Sequence, residues 1–151
     1  MLGYRTLVTA GLVVLVFARG ARTHAPAHAS TGQAEPQPPV FTLTGDAAII
    51  TFLIKPDKTA DFEMVLGKLN KALRSSDNAR RHEQAAGWTV LKSSEMAQGY
   101  AVYVMRVDPV LKGEEYDMTR LIAEVFPVEV QELLLRYQEA VAGRGVLTIN
   151  R

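Results

Sequence analysis

The stretch YAVYVMRVD, residues 100–108, is apolar on both sides of an extended chain. Successive side chains of a β-strand point to opposite faces of the sheet. One face would carry Ala101, Tyr103, Met105 and Val107, and the other Val102 and Val104. An antiparallel sheet with one face in water normally alternates apolar and polar residues. This stretch therefore predicts a central strand in a sheet that is covered on both faces.

The stretch AAIITFLIK, residues 47–55, shows the same pattern. It is rich in β-branched and aromatic residues and ends at Pro56 and Asp57, which indicates a buried strand. Its two faces are both apolar, with Ala48, Ile50, Phe52 and Ile54 opposite Ile49 and Leu53.

Four further segments complete the predicted order. Apolar residues at helical spacing in residues 57–76 predict an amphipathic helix, and WTVLKSSE, residues 88–95, predicts a strand that turns into 100–108. A second helical stripe follows DPVLKGEEY and is interrupted at Pro127, where proline should break or kink the helix. Gly143 is predicted to cap this helix, and residues 145–150 to form the last strand. The order is βαββαβ.

This order predicts a ferredoxin-like α+β sandwich, with the helices on one face of an antiparallel sheet. Two helices cover one face only. The apolar second face requires a second copy of the protein, a ligand, or both.

The N-terminus has the order of a secretory signal peptide. Arg5 precedes an uncharged apolar run, residues 6–18, and a small-residue site ends at Ala29. The run has 13 residues, fewer than the ~17 that a membrane-spanning helix needs, so we expect cleavage near Ala29 and a secreted or periplasmic protein with no stable membrane span. An uncleaved N-terminal membrane anchor is the alternative. The predicted organisation is a signal peptide over 1–29, a proline-rich linker over 30–46 and a ferredoxin-like α+β barrel domain over 47–151.

Charge and cysteine content exclude several classes of function. Loss of residues 1–29 removes three arginines and no acid, leaving 14 basic and 16 acidic residues and changing the formal charge from +1 to −2. A nucleic-acid-binding protein normally carries a basic excess, so no nucleic-acid partner is predicted. The chain has no cysteine, so disulfides are excluded and stability must come from packing and self-association.

Together, the two-faced strands, the βαββαβ order and the run from Trp88 through DPV to the broken helix EVFPVEVQELLLRYQEA resemble the dimeric α+β barrel superfamily, including antibiotic-biosynthesis-type monooxygenases. The DPV, KG and FP signature is similar to that of uncharacterised secreted bacterial proteins of this fold. The resemblance covers residues 47–149. It implies a homodimer whose protomers pack sheet on sheet, and a small apolar or aromatic molecule held between sheet and helices.

The candidate ligand-binding residues are the aromatic and apolar side chains of the strands and two residues beside them. They are Trp88, Tyr103, Met105, Phe52, His82 and Tyr116. Each also has a structural interpretation, because strand aromatics usually form core or interface and His82 lies among charged residues typical of a solvated helix end. Asn70 is weighed because oxygenases of this fold can use an asparagine near the pocket, and a solvated helix face is its default interpretation.

No metal site and no cofactor are predicted. His82 is the only histidine after residue 29, and no phosphate-binding glycine loop or Ser-His-Asp spacing is present. The sequence therefore favours a homodimeric domain that binds a small apolar molecule, whether or not it is an enzyme. The alternatives are a cofactor-independent or haem-related monooxygenase or isomerase, and a structural dimerisation module with a filled barrel.

Overall fold

The computed structural model describes residues 39–151. The predicted signal peptide and the first nine residues of the predicted linker lie outside these described residues. Four strands form one antiparallel sheet: β1, Ala47–Ile54; β2, Trp88–Ala97; β3, Tyr100–Val107; and β4, Val141–Ile149.

The sheet has the strand order β2-β3-β1-β4, so the two doubly apolar strands are central and β2 and β4 are the edges. The turn between β2 and β3 is made by Gln98 and Gly99, whose φ angles of 53° and 83° suit the two-residue hairpin turn that twisted strands prefer. The order and the antiparallel pairing are those of the ferredoxin-like α+β fold, and the predicted fold class is confirmed.

Within residues 39–151, four helices accompany the sheet: α1, Thr59–Arg74; α2, Ala79–Ala86; α3, Met118–Val125; and α4, Val130–Ala140. A short 3-10 helix, Pro56–Lys58, precedes α1. The sequence did not predict α2 as a separate helix, because five of its eight residues are polar and the other three are alanines, which leaves no large apolar side chain to mark a buried face. The side chain of Asn78 begins it by accepting hydrogen bonds from the backbone amides of Arg80 and Arg81.

The predicted break in the second helical segment is confirmed, and the predicted cap is wrong. The segment stops at Val125 and starts again at Val130, on either side of Pro127. However, α4 ends at Ala140 and β4 begins at the next residue, so Gly143 lies within a strand, opposite Leu53. A Cβ at Gly143 would lie 3.4 Å from Leu53 Cδ1, which is an ordinary van der Waals contact, so packing on the sheet does not itself require glycine here.

The helices pack against only one face of the sheet. Beneath the helices, Ala48, Ile50, Phe52 and Ile54 of β1 are fully buried with Met105 and Val107 of β3. No described element lies over the opposite face, which we call the open face. By the strand register it carries Ile49, Thr51 and Leu53 of β1, Val102, Val104 and Arg106 of β3, Thr89 and Leu91 of β2, and Leu147 and Ile149 of β4.

The chain before β1 already contacts the domain. Leu43 is buried in the core, and the amides of Val40 and Phe41 donate to the carboxylate of Glu115 at 2.7 and 3.0 Å. The guanidinium of Arg144 stacks over the Phe41 ring at 4.6 Å. The last part of the predicted linker is therefore packed against the start of α3.

Among the helices of residues 39–151, none has the length and apolar character needed to cross a membrane.

Candidate functional site

A pocket of about 370 Å³ lies between α1 and the edge of the sheet. Its size falls near the lower end of the ~300–1,000 Å³ range of small-molecule sites. The strands contribute side chains that face the helices, and α1 contributes one side of its surface. The lining residues are Phe62, Glu63, Leu66, Gly67 and Asn70 of α1, Trp88, Val90 and Lys92 of β2, and Tyr103 of β3.

The pocket exists because α1 does not cover the edge strand completely. The register pairs Trp88 with Val107, Val90 with Met105 and Lys92 with Tyr103, so these β2 residues share the helix-covered face. Yet Val90 keeps 37% of its surface exposed, whereas its partner Met105 on the central strand is fully buried. The gap over β2 is the pocket.

Three polar side chains meet at one part of this pocket. The Tyr103 hydroxyl and the Lys92 ammonium both donate to Glu63 Oε1, the latter at 2.9 Å. Lys92 Nζ also lies 5.3 Å from the centroid of the Tyr103 ring. Glu63 Oε2 makes no hydrogen bond within the described part of the chain.

The electrostatics keep these groups in defined protonation states. The hydrogen bond from Tyr103, followed by that from Lys92, lowers the pKa of Glu63. Burial and the neighbouring Glu63 raise the pKa of Tyr103, while the Tyr103 hydroxyl and Glu63 raise the pKa of Lys92. Near neutral pH the cluster is therefore a carboxylate, an ammonium and a neutral phenol. It offers a ligand both a hydrogen-bond acceptor and a donor.

Trp88 is the one tryptophan of the chain and connects the pocket to the core. Its ring lies 6.4 Å from that of Tyr116, centroid to centroid. Its buried indole N–H has no hydrogen-bond acceptor among the described residues. A buried donor without an acceptor costs about 1–3 kcal/mol, which makes Trp88 an unusual member of an otherwise satisfied core.

The structure brings together two of the six candidate residues at the pocket, Trp88 and Tyr103. Tyr116 is buried beside Trp88 and its hydroxyl accepts a hydrogen bond from the Leu111 amide at 2.9 Å. Phe52 and Met105 are fully buried in the core and do not line the pocket. His82 is exposed on α2, also outside the pocket.

The sequence interpretation missed Glu63, Gly67 and Lys92, and it assigned Asn70 to a solvated face. Asn70 lines the pocket, and its side-chain oxygen accepts a hydrogen bond from Arg74 Nε at 2.8 Å. One signal was present in the sequence. Glu63, Gly67 and Asn70 lie at positions i, i+4 and i+7, which form one stripe along a helix.

The described residues contain no group of three or more histidine, cysteine or acidic side chains placed to hold a metal ion.

Comparisons with known proteins leave the function open. No protein-family model and no curated protein matches the chain. A solved structure from Thermobifida fusca, described as a dimeric ferredoxin-like protein of unknown function, is 16% identical and covers 76% of this chain and 99% of its own, with a TM-score of 0.35. The fold assignment rests on the strand order and pairing described above, and by that evidence the chain is a ferredoxin-like domain.

Proposed function

We propose that this protein binds a small, largely apolar molecule in the pocket between α1 and β2. The observation that supports this most directly is the pocket itself, in which Val90 and Lys92 of β2 stay exposed beside their buried register partners Met105 and Tyr103 on β3. The pocket combines apolar walls with one polar cluster, the arrangement by which small-molecule sites obtain both affinity and orientation.

The polar cluster supports a ligand that carries a hydroxyl group. Glu63 Oε2 can accept a hydrogen bond, and Lys92, which has three N–H donors, gives one to Glu63 Oε1. A ligand hydroxyl satisfies both, since it donates to the carboxylate and accepts from the ammonium. Within the described chain Phe52 and Met105 fill the core while the space beside Tyr103 stays open, which supports a binding role over a purely structural one.

We also propose that the open face is the interface of a homodimer. The central strands have eight residues each, so four strands at ~4.8 Å spacing present a footprint of ~500 Å². Leu91 and Leu147 on this face are 59% and 60% exposed. Apart from Thr51, Thr89 and Arg106 the side chains of this face are apolar, and an exposed apolar patch with a few polar members is the kind of surface that a second copy covers.

A secreted or periplasmic location is the third part of the proposal, and it rests on the sequence of residues 1–29. Signal cleavage after Ala29 leaves Ser30 as the first residue. N-terminal sequencing of protein recovered from the culture medium or periplasm should show this residue, and recovery of Met1 in the membrane fraction would instead identify an anchor.

Two neighbouring residues of β2 allow ligand binding to be tested separately from dimerisation. Val90 lines the pocket, and Leu91 points to the open face. The ligand probe is 2-naphthol, a small apolar phenol, titrated against the full chain. Because Trp88 is the one tryptophan, its single indole N–H resonance in a ¹H–¹⁵N spectrum reports on the pocket.

We expect Val90→Glu to abolish the 2-naphthol-dependent shift of this resonance, because a charge in the apolar wall opposes ligand entry. Leu91→Glu should retain the shift and lose the dimer. A wild-type protein whose indole resonance does not respond to 2-naphthol at millimolar concentration would contradict the binding proposal. Retention of the shift in Val90→Glu would place the binding site elsewhere.

A further inference from the structure

Gly67 is the least expected residue in the wall of the pocket. It lies in the interior of α1, where glycine is the least favourable residue after proline because it gives up the most backbone freedom. A Cβ built at Gly67 meets no other atom within 4 Å. The fold therefore does not need glycine here for packing or for backbone conformation.

Gly67 lies on the side of α1 that faces the pocket. Glu63, Gly67 and Asn70 follow one stripe of α1, and all three line the pocket. With a rise of 1.5 Å per residue, the stripe from Glu63 to Asn70 is about 10 Å long. Gly67 lies near its middle, so bare helix backbone is flanked by a polar side chain on each side.

The opposite wall consists of the side chains of β2, among them Trp88 and Val90. Any side chain at position 67 would project into the space between the helix backbone and this wall. The missing side chain thus adds depth to the pocket at its centre, and a planar group can approach the helix backbone to van der Waals contact there.

We propose that Gly67 is the residue that determines which ligands the pocket accepts, and that the ligand is a flat molecule about 10 Å long whose ring lies against the backbone of α1 at Gly67. This inference rests on the proposed binding function and specifies the class of ligand. Phe62 and Trp88 supply aromatic surface to the lining of the pocket, while Glu63 and Asn70 lie near the two ends of the stripe.

The test compares two alcohols of similar bulk and different shape, 2-naphthol, which is flat, and 1-adamantanol, which is a cage. Each is titrated against the full chain and its Gly67→Ala and Gly67→Leu variants, with the Trp88 indole resonance as the signal. Lys71→Leu is the matched control, because Lys71 is exposed on the same helix and does not line the pocket.

We expect the wild type to bind 2-naphthol at least about tenfold more tightly than 1-adamantanol. One added methyl group in an apolar pocket changes affinity by about tenfold or more, so Gly67→Ala should weaken 2-naphthol binding by about that factor. Gly67→Leu should abolish it, and Lys71→Leu should leave it unchanged. If Gly67→Leu does not fold, Gly67→Ala alone decides.

The outcomes separate the two proposals. Binding of 2-naphthol by the wild type with equal affinity in the folded Gly67 variants would overturn this inference and leave the binding function intact. Equal affinity of the wild type for both alcohols would overturn the flat-ligand part. Absence of any 2-naphthol binding by the wild type would overturn the binding function and this inference together.

Discussion

We expect substitution by alanine to change the free energy of unfolding in opposite directions at two glycines, Gly67 and Gly45. A methyl group at Gly67 meets nothing within 4 Å, whereas at Gly45 it would lie 2.3 Å from Thr148 Cγ2 and 2.7 Å from the Ile149 carbonyl oxygen. We expect Gly67→Ala to raise the free energy of unfolding by about 1 kcal/mol, the difference in helix propensity. Gly45→Ala should lower it, by about 1–3 kcal/mol, because the backbone must shift.

Urea unfolding of the two variants and the wild type at one pH measures both changes. A loss of stability in Gly67→Ala would show that position 67 has a packing role, and would remove the reason to assign this glycine to the pocket.

At the same scale, the sequence could identify the aromatic residues of the site but not its polar ones. Trp88 and Tyr103 lie on strands, and their large rings, each with one polar group, made them candidates for ligand contact as well as for the core. Glu63 and Lys92 carry charges, and a charged side chain on an amphipathic element faces water by default. Whether the two meet depends on how far α1 reaches over the edge strand β2. That is a property of tertiary packing, which the residue pattern does not encode locally.

Among the elements, the segment before β1 depends on one buried carboxylate. Glu115 accepts hydrogen bonds from the amides of Val40, Phe41 and Asp117, at 2.7, 3.0 and 2.8 Å. Glutamine has one side-chain oxygen in place of two, so Glu115→Gln leaves part of this set of amide donors without an acceptor. We expect the free energy of unfolding to fall by about 2 kcal/mol at pH 7. Glu132→Gln is the control: its exposed ion pair with Arg136 should contribute less than about 0.5 kcal/mol.

The loss in Glu115→Gln should depend on pH. Burial alone would raise the pKa of Glu115, but the hydrogen bonds from Val40, Asp117 and Phe41 outweigh it and lower the pKa below its ordinary 4.5. A lowered pKa stabilises the folded state above pH 4.5, and this stabilisation is lost as the pH falls through the folded value. Unfolding measured at pH 7 and pH 3 should show a smaller difference at pH 3. An equal difference at both would indicate a packing effect.

The start of α3 offers a second test at the level of elements. The Asp117 carboxylate accepts from the amides of Thr119 and Arg120 at 2.9 and 3.2 Å, which satisfies donors that a helix N-terminus leaves free. We expect Asp117→Ala to lower the free energy of unfolding by about 1 kcal/mol. Asp117→Asn should lower it by less than half of that, because asparagine is also a good N-cap. Urea unfolding measures both. The Asp117 carboxylate also lies 3.6 Å from the guanidinium of Arg144, and equal losses in the two variants would attribute the effect to this ion pair instead.

The order of the elements was predictable because apolar residues repeat at different intervals in strands and in helices. The two errors, at α2 and at Gly143, have physical explanations. Polar α2 has almost no apolar stripe to reveal it, and it is held by its Asn78 cap and by Arg81, which pairs with Glu114 and Glu124. Gly143 was predicted to cap the helix because glycine is common directly after a helix C-terminus. It lies in a strand because pairing with Leu53 of β1 starts directly after α4.

For the whole molecule, a buried tyrosine should limit stability at high pH. Burial raises the pKa of Tyr137 to about 12, against an ordinary value of 10, while Arg144 lowers it and Asp117 raises it slightly. The unfolded chain can therefore ionise between pH 10 and 12 when the folded protein does not. The stabilisation is present below pH 10 and lost as the pH rises above it.

Two pKa units correspond to about 3 kcal/mol. Tyr137→Phe should lose less stability than the wild type between pH 9 and pH 11.5, as measured by urea unfolding. Parallel curves for the two proteins would show that Tyr103 and Tyr116, whose pKa values burial also raises, dominate the response.

Substitution of two leucines tests the proposed dimer interface. The two are similarly exposed, one on the open face of the sheet and one on the helix layer. Leu147 on the open face is 60% exposed, and Leu135 on α4 is 57% exposed. In a two-fold symmetric dimer the same patch meets itself, so Leu147→Glu introduces two carboxylates into one apolar interface. Light scattering should give twice the chain mass for the wild type and for Leu135→Glu, and a single chain mass for Leu147→Glu. A monomeric wild type, or equal masses for both variants, would mean that the open face is not the dimer interface.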